Sequence, residues 1–484
     1  KRQGITNAIG KSVWELNAEH KECKAQAKRL MADAPWMRKI FLQSQLKDAV
    51  DEKREDDAKE RIKEIIRNEA QKKEWRGIQR VTKGNTINSV TYCDLQLPDG
   101  TLRRCETKQE VEAAIASTLS TRFDMAESAP ICGGPLFDLL GYSADTDTAV
   151  EILEGRFVPP EGTDGPTCMI LEEIARIWKR SEAGEVDIII TQDDFQHYWK
   201  RANERTSSSY SGLHFGHYKA AAFSDKLSHI HALKLSTITK TGSAPTRWAR
   251  GLSVMLEKVA GVALVTRLRG ILLMEADFNF HNKLIFGQRM MDVAREYGLI
   301  QDEIFSEKGR TAEDASLQQV LMYDIARQLR RPLLVASVDA TSCYDRIAHA
   351  VAALTLRAYK VRNSSVMGML TPIQSMEFFL RTGFGESTTY FGGADDKKQG
   401  ACQGNGAAPP TWLAISTLLV ENQRRHHGIV IKSPFAKKGV KQAGVLYVDD
   451  TNIWAGFKPD DDEVTTAAAG QEAIDEWGGG LIAT

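Results

Sequence analysis

The segment AGVLYVDDTNIWAG, residues 443–456, decides which fold the sequence predicts. Apolar residues flank the pair Asp449 and Asp450 on both sides, which predicts two buried β-strands joined by a tight turn. Adjacent carboxylates repel each other and are costly to bury. Standing alone, the pair is more typical of a solvated turn, because aspartate is a favoured turn residue. A functional interpretation therefore needs a further acid nearby.

A second acid lies upstream at the end of another apolar run. Asp339 follows residues 333–338 (LLVASV) and precedes a segment that reads as helical. Acids at the ends of neighbouring strands could meet at one sheet edge. The physical reason to bring them together is a divalent metal, because Mg²⁺ prefers oxygen ligands and is held by one or two carboxylates plus substrate phosphates. Two such ions about 4 Å apart can act together in phosphoryl transfer.

The composition is that of an ordinary globular protein with no strong overall charge. The chain has 484 residues, 63 Lys+Arg and 64 Asp+Glu, so affinity for nucleic acid must come from local patches. Its 7 cysteines show no zinc-site spacing, which indicates reduced, intracellular thiols. We find no apolar run of about 18 residues and no signal peptide, so we expect no membrane insertion and a nuclear or cytoplasmic location.

The first part of the chain reads as an extension followed by a linker. Residues 1–126 form a predicted helical and hairpin extension, with a long exposed helix across 37–75 that is either solvated or an RNA- or partner-binding arm. The turn at 98–100 (PDG) indicates a hairpin, and helical spacing follows it. Residues 127–185 read as a linker or irregular region, because glycine and proline are frequent and periodicity is weak.

From residue 186 the pattern is that of one α+β body. A strand precedes a helix capped near Thr191. The glycine-rich loop at 400–409 opens a long helix, and residues 460–480 form a further one.

Three motifs in this body resemble those of reverse transcriptases, the RNA-directed DNA polymerases. YVDD (447–450) resembles the Tyr-x-Asp-Asp signature, and DATSCYD (339–345) resembles the first palm motif. GACQGNGAAP (400–409) is similar to the family's palm loop. The resemblance implies a right-hand polymerase fold with fingers at 186–330 and a palm with an antiparallel sheet at 331–484, the two mixing at 360–400.

Weaker matches point to the branch of non-long-terminal-repeat retroelements. They are TSSSYSGLHFGHYKA (206–220), APTRWARGLSVMLEKV (244–259), RLRGILLMEADFNFHNKLI (267–285) and SEKGRTAEDA (306–315), which resemble the fingers motifs of that branch.

The resemblance assigns the acidic residues to metal binding. Asp339 and Asp449 would be the main ligands of two Mg²⁺ ions, with Mn²⁺ as a substitute, and Asp450 would be the supporting acid. Asp345 is more typical of a helix-capping or ion-pairing acid than of a ligand. Tyr344 occupies the position whose ring would exclude a 2′-hydroxyl, so that deoxynucleotides are preferred.

The resemblance also implies residues that bind the incoming nucleotide and residues that bind the primer and template. Gln403 and Gly404 would face the incoming nucleotide. Lys258 and Arg269 would grip its triphosphate, with Arg267 as a competitor for the second role. Three residues are assigned to the primer and template: Tyr447, Lys308 and Arg310.

The resemblance implies an RNA template, a DNA or RNA primer and deoxynucleoside triphosphates as partners. The chain ends where the family's next palm motif and thumb would follow, so we expect a fragment with a truncated thumb that extends primers poorly alone. Other domains of an element polyprotein, a thumb and an endonuclease, would be further partners. Two alternatives stay open: an RNA-dependent RNA polymerase, and an inactive RNA-binding scaffold or relic.

Overall fold

The computed structural model describes residues 90–125, 129–204, 206, 209–259, 261–432, 439–458 and 461–484. The long helix expected across residues 37–75 lies outside these ranges. Within them, the chain combines many helices with small sheets of mixed strand direction, which agrees with the predicted α+β class.

The described chain begins with the predicted hairpin and helix, β1 (Cys93–Gln96), β2 (Leu102–Cys105) and α1 (Lys108–Phe123). The strands are antiparallel, and Asp99 closes the turn by accepting the backbone N–H of Thr101 at 2.9 Å. A capping box between Thr107 and Glu110 begins α1. The hairpin prediction is thus confirmed.

The segment expected to be a linker instead contains helices. These are α2 (Gly134–Leu140), α3 (Asp147–Glu154) and α4 (Gly165–Arg180). Buried side chains from all three, among them Leu136, Ile152 and Ile174, belong to the main hydrophobic core. The prediction of an irregular region at 127–185 is therefore wrong for these stretches, because the glycines and prolines that suggested a linker stand at the ends of the helices.

A helical group follows, formed by α5 (Gln192–Arg201), α6 (Phe215–Ala221) and α7 (Asp225–Thr241). Thr191 caps α5 as predicted, accepting the N–H of Asp194 at 3.1 Å. The strand predicted before this helix is absent from residues 186–190. There, the N–H groups of Val186 and Ile190 donate to Lys360 and to the Ser236 hydroxyl rather than to a strand partner.

The remaining elements alternate short strands with helices. In order they are β3 (Arg250–Glu257), β4 (Leu268–Leu273), α8 (Ala276–Asn282), a π-helical segment (Lys283–Met290), α9 (Met291–Glu296), α10 (Ala312–Leu329), β5 (Leu333–Asp339), α11 (His349–Ala358), α12 (Asn363–Gln374), β6 (Glu377–Thr382), β7 (Gly385–Gly392), α13 (Ala408–His426), β8 (Ile429–Ile431), β9 (Val440–Gln442), β10 (Gly444–Tyr447), β11 (Asp450–Gly456) and α14 (Glu463–Ala483). The helices predicted after the glycine-rich loop and near the C-terminus are α13 and α14. The helix expected directly after Asp339 begins only at His349, because turns occupy residues 341–346.

Two sheets position the candidate site. The first has the strand order β4-β3-β6-β7, and β3 runs parallel to β6 while the other neighbours are antiparallel. The second has the order β10-β11-β5 and is antiparallel throughout. Its central strand is buried on both faces: Ile453 belongs to the main core, and Trp454 packs in a second cluster with Met322 of α10. This two-sided burial accounts for the apolar run in the sequence.

The main core extends from Val90 to Ala483 and draws on the N-terminal hairpin, helices α2–α4 and both larger sheets. None of the helices in the described ranges is long and apolar enough to cross a membrane.

Candidate active site

The three candidate metal ligands meet at one end of the antiparallel sheet β10-β11-β5. Asp339, the last residue of β5, is the register partner of Asp450, the first residue of β11. Asp449 lies in the turn between β10 and β11, and its carbonyl accepts the N–H of Ala340 at 3.3 Å. The fold therefore brings together acids that are far apart in sequence.

The turn that carries Asp449 has a strained backbone. Val448 adopts a φ of 60°, which is unfavourable for a β-branched residue. A positive φ at this position is what primed hairpin turns require. The indole N–H of Trp412 donates to the carbonyl of Val448 at 2.7 Å and holds the turn.

Two further non-glycine residues with positive φ border the same region, Ser342 at 56° and Cys402 at 65°. Strain of this kind costs roughly 1–3 kcal/mol per residue and concentrates at functional sites.

A cleft of 430 Å³ opens beside the acids and contains charges of both signs. The acids that line it are Asp339, Asp345 and Asp449. Four basic side chains face them: Arg122, Lys258, Arg267 and Arg269. Four cations against three carboxylates leave an excess of one positive charge among these groups. No described residue forms an ion pair with any of the four cations, so their charges are available to an anionic ligand.

The β3–β4 hairpin supplies three of these cations. Arg269 pairs with Leu256 in the register, and Lys258 directly follows the last residue of β3. Arg267 precedes β4, and all three side chains are exposed. Lys258 and Arg269, predicted as phosphate-binding residues, thus reach the same cleft as the acids.

Tyr344 forms one side of the cleft. The ring is half-buried and also borders a second depression of 200 Å³, and the Tyr344 carbonyl accepts the N–H of Ala401 at 2.6 Å. Burial, together with the nearby Cys343 and Asp449, raises the pKa of Tyr344 to about 12. The phenol therefore stays neutral at physiological pH.

The glycine-rich loop is fixed against β4. The N–H of Leu272 donates to the carbonyl of Gln403 at 2.9 Å, and Gly404 adopts a φ of 115°. A Cβ at Gly404 would lie 2.3 Å from the carbonyl oxygen of Leu272, so this close approach requires glycine. Gln403 borders the cleft, as predicted, and Gly404 is exposed next to it.

Asp345 links the first acidic motif to the glycine-rich loop. Its carboxylate accepts the backbone N–H of Gln403 at 3.3 Å. Burial raises the pKa of Asp345 to about 6, and the charge of Arg122 opposes this rise. Among the described residues it neither caps a helix nor forms an ion pair, so both roles expected from the sequence are wrong.

The structure does not bring every predicted residue to the cleft. Arg310 donates to the carbonyls of Asp302 and Ile304 at 2.7 and 3.0 Å, and it lies over the ring of Phe305. Its guanidinium therefore stabilises its own loop. Lys308 borders the second depression, on the other side of Tyr344.

Tyr447 and Asp450 are exposed at the strand ends beside the cleft but do not line it.

Arg122 is the residue that the sequence analysis missed. It lies in the last turn of α1, in the part interpreted as an appended extension. A single arginine in a short helix carries no local signal of a binding role. Its place in the cleft follows only from the packing of α1 against the body.

The donor chemistry of the cleft fits a divalent cation. Within the described ranges, no three His, Cys, Asp or Glu side chains are already grouped to hold a metal ion. The carboxylates of Asp339 and Asp449 nevertheless line the same cleft, and neither is in an ion pair with a described residue. Carboxylate oxygens of this kind are the ligands that Mg²⁺ prefers.

A scan against protein-family models and a search of curated proteins found no match to this chain. The interpretation of the cleft therefore depends on its geometry and on the motif resemblance.

Proposed function

We propose that the chain is the reverse transcriptase domain of a non-long-terminal-repeat retroelement, which adds deoxynucleotides to a primer 3′-hydroxyl on an RNA template. One arrangement carries the proposal: Asp339 and Asp450 are register partners, and Asp449 in the adjoining turn lines one cleft with Asp339 and four basic side chains. In this proposal the sheet β10-β11-β5 is the centre of a polymerase palm, and the β3–β4 hairpin belongs to the fingers.

The acids would hold the metal ions. Asp339 and Asp449 would be the main ligands of two Mg²⁺ ions, or of Mn²⁺, and Asp450 would support them from the strand end. When bound, such ions supply a lowered pKa for the primer hydroxyl and charge stabilisation for the leaving pyrophosphate. The strained turn at Val448 fixes the backbone that carries Asp449 before the substrate arrives.

The basic residues would bind the triphosphate. Arg269 can offer two parallel N–H groups to phosphate oxygens, while Lys258 acts as a point charge. The backbone that carries both side chains is ordered before the ligand binds, because Arg269 lies on a strand and Lys258 directly follows one. Preorganised donors of this kind stabilise the negative charge of a transferring phosphoryl group.

Tyr344 and the glycine-rich loop would select the sugar. Tyr344 lines the same cleft as Asp449, and its half-buried ring would exclude a 2′-hydroxyl of the incoming nucleotide. Gln403 can hydrogen-bond the nucleotide, and the bare backbone at Gly404 allows close approach.

The template and primer would extend beyond the cleft, past Lys308 and Tyr447. A thumb and an endonuclease from the same polyprotein would be the protein partners.

Two alternatives make different predictions. An RNA-dependent RNA polymerase would use the same acids but incorporate ribonucleotides. One observation favours an inactive RNA-binding scaffold. Among the described residues, no three His, Cys, Asp or Glu side chains lie close enough together to hold a metal ion.

Single-nucleotide addition to a primer annealed to RNA, in the presence of Mg²⁺ or Mn²⁺, separates these functions. The proposal expects addition of a deoxynucleotide and weak or no addition of the matching ribonucleotide. Preference for the ribonucleotide would favour the RNA polymerase. Binding of the primer–template without any metal-dependent addition, by a chain completed with a thumb domain, would favour the scaffold and contradict the proposal.

A further inference from the structure

We infer that Arg122 is a binding residue for the triphosphate of the incoming nucleotide, supplied by the N-terminal hairpin unit (residues 90–124) rather than by the body of the chain. This inference rests on the proposed function, since it names a further group in the same cleft. It assigns a ligand-binding role to a part of the sequence in which no motif indicates one.

The backbone that directly follows Arg122 is held firmly to the body. Phe123 is buried, and its ring stacks on Phe378 of β6 with a centroid distance of 5.2 Å. The carboxylate of Asp124 accepts a hydrogen bond from the ammonium of Lys398 at 2.5 Å, and the N–H of Gln399 donates to the carbonyl of Phe123 at 2.8 Å. Helix α1 therefore cannot move away from the cleft without breaking buried contacts.

The same unit also supports the connection between β3 and β4, whose ends carry the other cations. The N–H of Asp94 donates to the carbonyl of Ala263 at 2.9 Å. Arg122 itself donates to the carbonyl of Thr266 at 3.5 Å. Its guanidinium is thus placed beside the connection that leads from Lys258 to Arg267.

Most of the hydrogen-bonding capacity of Arg122 is free for a ligand. An arginine side chain has five N–H donors. The bond to Thr266 is the sole hydrogen bond that the described residues provide to this guanidinium, and no ion pair within 4.0 Å involves it. The side chain is half-buried and lines the cleft opposite Asp339 and Asp449. A partly desolvated arginine with open donors is suited to bind phosphate oxygens in a bidentate manner.

A triphosphate fits this position better than a strand phosphate does. Arg122, Lys258, Arg267 and Arg269 line one open cleft of 430 Å³ together with the acids. Grouped charges of this kind match the several adjacent phosphates of one nucleotide. Phosphates of a strand are spaced along its length and would be contacted by a row of cations.

The test measures nucleotide affinity, which does not depend on turnover. Arg122→Gln and Arg122→Lys are compared with wild type, and Arg104→Gln serves as the matched control because Arg104 lies in the same unit, is exposed and pairs with Asp94. Calorimetric titrations use a deoxynucleoside triphosphate, the deoxynucleoside without phosphates, and a short single-stranded RNA. Thermal melting reports whether each variant is folded.

We expect Arg122→Gln to weaken triphosphate binding by roughly 10-fold to 100-fold, as for a lost hydrogen bond to a charged group. Arg122→Lys should recover part of that loss, and Arg104→Gln should bind like wild type. Unchanged triphosphate affinity in folded Arg122→Gln overturns the inference, and so does a loss of RNA affinity alone, which would indicate a strand phosphate.

A second measurement covers the case in which the variants do not fold. Phenylglyoxal modifies accessible guanidinium groups, and the triphosphate should slow modification of Arg122 in the wild-type chain but not that of Arg104. Equal protection of both, or of neither, would contradict the inference. If triphosphate binding depends on Arg122 but a chain completed with a thumb domain adds no nucleotide to a primer, the proposed function fails while this assignment stands.

Discussion

Replacing Asp345 by asparagine should stabilise the protein at neutral pH and have a much smaller effect in acid. Asp345 is buried between the first acidic motif and the glycine-rich loop, and burial raises its pKa from 3.8 to about 6. The folded state therefore holds a proton more tightly than the unfolded state does. The stability that this proton contributes is present below pH 3.8 and is lost as the pH rises through about 6.

The size of the effect follows from the difference between the two pKa values, about 2, since each unit corresponds to about 1.4 kcal/mol. Ionisation of Asp345 thus costs about 3 kcal/mol above pH 6, of which about 2 kcal/mol develops between pH 4.5 and pH 8. Asparagine keeps the oxygen that accepts the N–H of Gln403 and carries no charge. The melting temperature of Asp345→Asn relative to wild type should therefore rise by roughly 2 to 4 °C between those two pH values.

Arg122 provides an internal check, because its positive charge lowers the pKa of Asp345. Arg122→Gln should steepen the loss of stability with pH in the wild-type background and have no such effect when residue 345 is asparagine. If the melting temperatures of Asp345→Asn and wild type differ by the same amount at pH 4.5 and pH 8, ionisation of Asp345 does not destabilise the fold.

Three other substitutions test separate parts of the structure. Tyr344→Ala should admit ribonucleotides, so that primer extension shows reduced discrimination between the two sugars; undiminished discrimination would contradict the role. Gly404→Ala should weaken nucleotide affinity in a titration, because its Cβ would lie 2.3 Å from the Leu272 carbonyl oxygen, and wild-type affinity would show that the loop position does not matter. Lys398→Met should destabilise the chain by roughly 1–3 kcal/mol, because the buried ammonium of Lys398 donates three hydrogen bonds. Lys397→Met, at the neighbouring exposed position, should have little effect on the melting temperature.

The features that could be predicted from the sequence are those set by neighbouring residues. The hairpin at residues 98–100 depends on the Asp99 and Gly100 turn chemistry, and α5 depends on the Thr191 capping box. The pairing of Asp339 with the doublet was expected from two strand-end acids, and the register of β5 with β11 brings them together.

The features that were missed depend on packing between distant segments. Helix α4 has a start signal, because Asp164 accepts the N–H of Thr167 and Pro166 lies in its first turn, but the surrounding glycines and prolines obscured it. No sequence pattern predicts a binding role for Arg122, since its position depends on the stacking of Phe123 against Phe378.

In the proposed function, Asp449 and its neighbours bind the metal for nucleotide addition. The most direct measurement is the rate of single deoxynucleotide addition on an RNA template by the chain completed with a thumb domain. The rate is compared between wild type, Asp449→Asn and Asp475→Asn, the last being an exposed aspartate outside the cleft. We predict that Asp449→Asn lowers the rate by at least about 100-fold without changing the melting temperature, while Asp475→Asn retains the wild-type rate. Equal rates in wild type and Asp449→Asn would contradict the account.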